Sequence, residues 1–125
     1  MLIFTIILTQ NTFAQKDYKA IDVKMSKDKN IQEVKLLLDI ATKRVETNFY
    51  GNDLKLLKNI DKDCFKNRID CIKCLKKLGF KKADEYVKLS FDITDRMAIF
   101  KKENPEFYQL DKDLQSKLLK KYLIM

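Results

Sequence analysis

Apolar residues recur along most of the chain at spacings of three and four, and nowhere alternate with period two for long enough to build a strand. The first clear run is Ile31, Val34, Leu37, Leu38, Ala41, Val45 and Phe49. It predicts a helix over roughly residues 31 to 49, with Asn30 and Glu33 in capping-box spacing at its start and Gly51 as its stop. Asp53 starts the next predicted helix, with Leu54, Leu57 and Ile60 inward. From Cys64 to Gly79 a helical wheel puts Cys64, Cys71, Cys74, Leu75 and Leu78 on one side and Lys66, Lys73, Lys76 and Lys77 on the other. Asp63 is placed to cap that helix, Gly79 to take the left-handed position after it, and Phe80 to fold back onto its last turn. Whether residues 53–78 form one helix or two stays open. Leu57, Ile60, Cys64, Cys71, Leu75 and Leu78 keep phase on an unbroken wheel, whereas Asp61-Lys62-Asp63 favours a break.

The pattern resumes at Phe80, Ala83, Val87, Phe91, Thr94 and Ala98 and predicts a helix over about residues 82 to 102. Asn104-Pro105 reads as a stop and restart, since Asn suits a cap and Pro the first helical position. Phe107, Tyr108 and Leu110 then make a short aromatic turn, and Asp111 caps a last helix bearing Leu114, Leu118 and Tyr122. The predicted class is all-α, a small bundle of four to five helices after an N-terminal signal peptide.

The signal peptide is read from Leu2 to Leu8, a short and almost wholly apolar run, followed by Thr9-Gln10-Asn11 and then Thr12-Phe13-Ala14. The run is far below the ~18 residues that span a bilayer, so no transmembrane anchor is expected. No Lys or Arg precedes it. Cleavage after Ala14 divides the chain into a signal peptide at 1–14, a polar N-terminal arm at 15–29 and a helical domain at 30–125. The arm has Tyr18, Ile21, Val23 and Met25 as its only anchors and reads either as a short docked helix or as a loose arm. The expected location is secreted or periplasmic.

Composition sharpens this picture. The chain has two Gly, one Pro and no Trp, and it carries a net charge of +8. Residues 62–82 hold eight Lys or Arg against two Asp, a net +6. Such a face suits an acidic protein partner. Export and the near-absence of Arg, whose planar fork recognises phosphates, argue against nucleic acid. Arg68 alone projects towards the cysteine side of the wheel, either paired with a carboxylate at the rim of the core or marking a polar spot in a groove.

The thiol chemistry is sparse. C-x6-C-x2-C with no His completes neither a four-ligand zinc site nor a haem attachment motif. Cys71 and Cys74 lie within a helix rather than at its N-terminus, where a redox Cys-x-x-Cys belongs. Cysteines seven apart in a straight helix are separated by ~10.5 Å along its axis, beyond bridging distance. The set therefore reads first as three core fillers, then as a local disulfide with one thiol spare, and after those as an intermolecular bond or a soft-metal site. Cys64, Cys71 and Cys74 are the candidate thiol site, and Lys66, Lys73, Lys76 and Lys77 the candidate interaction face.

Catalysis has little material. With no His there is no ready base near neutral pH, no Ser lies in a nucleophile motif, and no glycine-rich phosphate loop exists. Asp92 and Asp95, three apart on a helix, could present two carboxylates, but on a Lys-rich helix such pairs usually solubilise. Leu75-Lys-Lys-Leu-Gly79, with Ala83 and Tyr86 beyond, resembles the turn of a tetratricopeptide-type hairpin over about a dozen residues. No second copy follows at its 34-residue period, so nothing is carried over.

The reading is a small exported, non-enzymatic binding protein, inhibitor- or immunity-like, needing no cofactor and no metal. Its alternatives are a carrier of a small apolar ligand in a cavity lined by Phe65, Phe91 and Met97, and a thiol-redox or copper-handling protein. An exposed basic face over a filled core favours the first, a hollow core the second, and solvent-exposed Cys71 and Cys74 the third.

Overall fold

A computed structural model describes residues 17–124, so the expected signal peptide lies outside the described residues. Within them the chain is helical and has no strand, as the periodicity requires. Five α-helices are present among the described residues: α1 (17–26), α2 (Lys29–Glu46), α3 (Arg68–Leu78), α4 (Ala83–Glu103) and α5 (Lys112–Leu119). Short 3-10 segments at Asp53–Asn59, Lys62–Phe65 and Pro105–Gln109 join them, and a π turn at Lys120–Ile124 follows α5. None of the described helices is long and apolar enough to cross a membrane.

Backbone packing divides the described chain into two units, residues 17–35 with 96–124 and residues 36–95. In the first unit the stretch 17–26 is a helix rather than a loose arm, because Ile21 and Met25, one turn apart, are both buried; Val23, off that stripe, is exposed. The Asp28 carboxylate accepts the Ile31 N–H at 2.9 Å and starts α2 two residues before the predicted Asn30. Ile31 and Val34 are buried in this unit, as are Phe100, Phe107, Leu110, Leu118 and Leu123. The rings of Phe100 and Phe107 meet edge to face at 5.4 Å.

Asn104 is buried, yet it does not cap the 3-10 turn that Pro105 begins. Its amide Nδ2 donates back to the Phe100 carbonyl at 2.9 Å, so it closes the end of α4 instead. Asp111 likewise makes no side-chain cap; the Gln115 amide donates to the Leu110 carbonyl at 2.8 Å. The C-terminal turn is tied to α1 through Asp22, whose carboxylate takes the Lys121 ammonium at 2.9 Å and the Tyr122 hydroxyl. Those two hydrogen bonds, Tyr122 foremost, hold the Asp22 carboxyl below the usual carboxylate range.

In the second unit α2 ends at Glu46, three residues short of the predicted end at 49 and five before Gly51. Asn48 takes the left-handed conformation at φ 55°, its N–H donates to the Val45 carbonyl and the Phe49 N–H to the Arg44 carbonyl at 2.9 Å. Asp53 is the buried acid of this unit. It starts no α-helix; its two carboxylate oxygens accept the N–H groups of Lys81 and Lys82 at 2.9 and 2.8 Å and so cap α4 from 28 residues away. The core contains Cys64, Cys71, Leu75, Phe80, Ala83 and Val87, with Leu57, Ile60 and Phe91 half-buried against it. Gly79, at φ 105°, closes α3 as the sequence predicts, and Phe80 folds back, its N–H donating to the Leu75 carbonyl at 3.0 Å.

Leu75 is fully buried in this core. Leu75→Ala is expected to lower stability by about 2–5 kcal/mol in chemical denaturation, whereas Leu36→Ala, at an exposed position, changes it by less than about 0.5 kcal/mol. Equal losses for both would contradict the packing described here.

Candidate functional site

The cysteine-bearing segment is neither one helix with residues 53–60 nor an unbroken helix from Cys64. Ile60 and Asp61 are extended, with ψ of 126° and 147°, and the chain turns again before Asn67. Asn67 is the cap that Asp63 was expected to be: its Oδ1 accepts the Asp70 N–H at 2.8 Å, and its Nδ2 donates to the Asp70 carboxylate. The phase agreement between residues 57–60 and 64–78 misled because two apolar patches can line up on a wheel while the backbone between them is not helical.

The break changes the thiol chemistry. Cys64 leaves the helical line, its Cα lies 5.7 Å from that of Cys74, and the two form a disulfide. Three independent core fillers are therefore not what the structure holds. Cys64 is buried and bonded, Cys74 is half-buried and bonded, and Cys71 alone is a free thiol. Cys71 has no solvent exposure, and burial pushes its pKa up, away from the reactive thiolate. The described residues contain no group of three His, Cys, Asp or Glu side chains placed to hold a metal ion.

Arg68 resolves as an ion-paired residue. Its guanidinium Nη2 lies 2.7 Å from Asp92 and 2.6 Å from Asp95, and its plane sits over the Phe91 ring. Lys88 takes the other oxygen of Asp92 at 2.9 Å, and with Arg68 it lowers that carboxyl's pKa. The acids are thus clamped to α3 rather than offered as a free pair.

The lysines fare differently. Lys66, Lys73, Lys76 and Lys77 are all exposed. Lys76 reaches Asp84 at 3.4 Å, whereas among the described residues Lys66, Lys73 and Lys77 have no carboxylate within ion-pair distance. Lys76 and Lys77 sit in the last turn of α3, where a cation favours the helix dipole by roughly 0.3–1 kcal/mol, so helix stability by itself accounts for them. It does not account for Lys73 in mid-helix, nor for what stands beside it. Ile69, one turn before Lys73, is 67% exposed, and Phe65, adjacent to Lys66, is 42% exposed. The same wheel that collects the lysines also puts Ile69 and Phe65 among them, so this signal was present in the sequence.

Phe65 consequently lines no interior cavity. A cleft of about 300 Å³ lies in the other unit, walled by Asp17, Ala20, Ile21, Lys24, Glu106 and Gln109. The Lys24–Glu106 ion pair, at 2.8 Å, stands in its wall. Charged side chains of Asp17, Lys24 and Glu106 stand around it, although most of its lining surface is apolar, and neither Phe91 nor Met97 contributes to it.

Alkylation under denaturing conditions without reductant should label one thiol, and three after reduction. Native protein should resist labelling, because Cys71 is enclosed. Breaking the Cys64–Cys74 bond by replacing both with Ala is expected to cost about 2–4 kcal/mol, from the loop that the bond closes. Three reactive thiols in unreduced protein would contradict the pairing. No protein-family model matches this chain, and no curated protein and no solved structure matches it either.

Proposed function

We propose that the protein is a small exported, non-enzymatic binding protein that meets an acidic protein partner through α3. The observation that carries this reading is the group Lys66, Lys73 and Lys77, exposed and without ion partners among the described residues, beside the exposed side chains of Ile69 and Phe65. Some cations are taken up within the protein, Lys24 by Glu106, Lys121 by Asp22 and Arg68 by two aspartates, whereas Lys66, Lys73 and Lys77 face solvent. Contact surfaces combine an apolar centre, desolvated on binding, with a polar rim whose charges set orientation and encounter rate, and Ile69 among these lysines has that arrangement.

The helix that carries this face is also held firmly. The Asn67 cap, the left-handed Gly79, the Arg68 clamp and the Cys64–Cys74 bond fix it at both ends and along its buried side. A pre-ordered surface loses less conformational entropy on binding. The disulfide supports export as well, since such bonds persist in oxidising compartments.

Two measurements test the proposal. Mass spectrometry of protein from its native host should find Gln15 as the first residue; an intact Met1 on the mature protein would remove the export reading. For binding, the partner captured on the immobilised chain is titrated against the native protein and the Lys73→Glu/Lys77→Glu variant at low and at physiological salt. Both positions are exposed, so the variant should keep the native helicity and melting temperature. Its association rate should fall by about tenfold or more, and the native rate should fall as salt rises. Rates unchanged by both the reversal and the salt would show the lysines to be a solvated surface only.

A further inference from the structure

Helix α2 has a second exposed line, on the side opposite its buried residues Ile31 and Val34. Lys29, Glu33, Leu36, Ile40, Lys43 and Thr47 follow one another at helical spacing, and all six are exposed. Leu36 is 59% and Ile40 43% exposed, two large aliphatic side chains one turn apart on a solvent-facing stripe. Both reach solvent, and a charged residue closes the pair at each end.

The order of these residues is self-complementary. Reversed against itself about the level of Leu38, the line places Leu36 opposite Ile40 of a second copy and Glu33 opposite its Lys43. The same pairs recur on the other side of the two-fold axis, as an isologous contact demands. A parallel arrangement would instead set Glu33 against Glu33 and Lys43 against Lys43. We infer that α2 is the contact surface of an antiparallel homodimer, with Leu36 and Ile40 of both copies at its centre and Glu33–Lys43 ion pairs at its two ends. The stretch from Glu33 to Lys43 spans only ~15 Å of helix, so the interface is small and the association weak. The chain's net charge of +8 opposes self-association, and physiological salt screens that repulsion beyond ~8 Å. This contact uses no residue of the α3 face and does not depend on its role.

Sedimentation velocity of the full chain in physiological salt, from about 10 to 500 µM, tests the inference. A reversible monomer–dimer equilibrium is expected. Leu36→Asp/Ile40→Asp should raise the dissociation constant at least ~10-fold, and the Ser pair at the same positions gives the same reading if the Asp variant loses helicity. Glu33→Lys alone and Lys43→Glu alone should each weaken the dimer, roughly threefold or more, because each creates two like-charge pairs. Combining them restores both ion pairs with the signs exchanged, and should bring the constant back to within about twofold of the native value. A chain that is monomeric at every concentration, a dimer indifferent to the Leu36 and Ile40 changes, or a charge exchange that fails to rescue would each overturn it.

Discussion

Because the chain leaves helical geometry between Phe65 and Arg68, Cys64 returns to lie beside Cys74, and much of the second unit follows from that return. Had the helix continued, the two cysteines would have stood nearly three turns apart with no means of bonding. With the turn in place, the disulfide draws the 3-10 segment onto the side of α3, and Cys64, Cys71 and Leu75 share one core. Phe65, next to Cys64 in the chain, stands exposed beside Lys66. One local departure from the helix thus sets the packing beneath α3.

Asp53 is the complementary constraint at the other end of the core. A carboxylate taken out of water is stable only if its oxygens are satisfied, and here both are, by the amides of Lys81 and Lys82. The start of α4 is therefore fixed by a residue that precedes it by almost thirty positions. Around it, Phe49 lies beneath both Arg44 and Lys82, and Tyr86 packs edge to face on Tyr50 and Phe80. Aromatic rings and cations do here what a larger aliphatic core does in larger domains.

The two exposed surfaces singled out above differ in kind. On α3 the unpaired charge is mainly positive, with Asp70 the exposed exception. On α2 a Glu and a Lys flank two aliphatic residues symmetrically, so the surface already contains its own complement. A mainly positive charge pattern and one that is balanced and palindromic point to different partners, and neither competes with the other for residues.

Helical class was determined by the sequence itself, through the three-and-four spacing of its apolar residues and the scarcity of Gly and Pro; so were the span of α4, the left-handed stop at Gly79 and the return of Phe80. These are short-range matters of side-chain spacing and local backbone preference. Clear in outline, too, was the lysine side of α3, because a wheel needs only sequence order. The tertiary structure decided the rest. The cap of α2 went to Asp28 rather than Asn30, and that of α3 to Asn67 rather than Asp63, since each of these residues has an acceptor suited to a cap and only the backbone path selects one. Arg68 could be read as paired or free until Asp92 and Asp95 were seen beside it. Cys64 and Cys74 became partners, and Asp53 a cap for a remote helix, for the same physical reason: each interaction depends on where a turn brings distant backbone together, and local propensity carries no record of that.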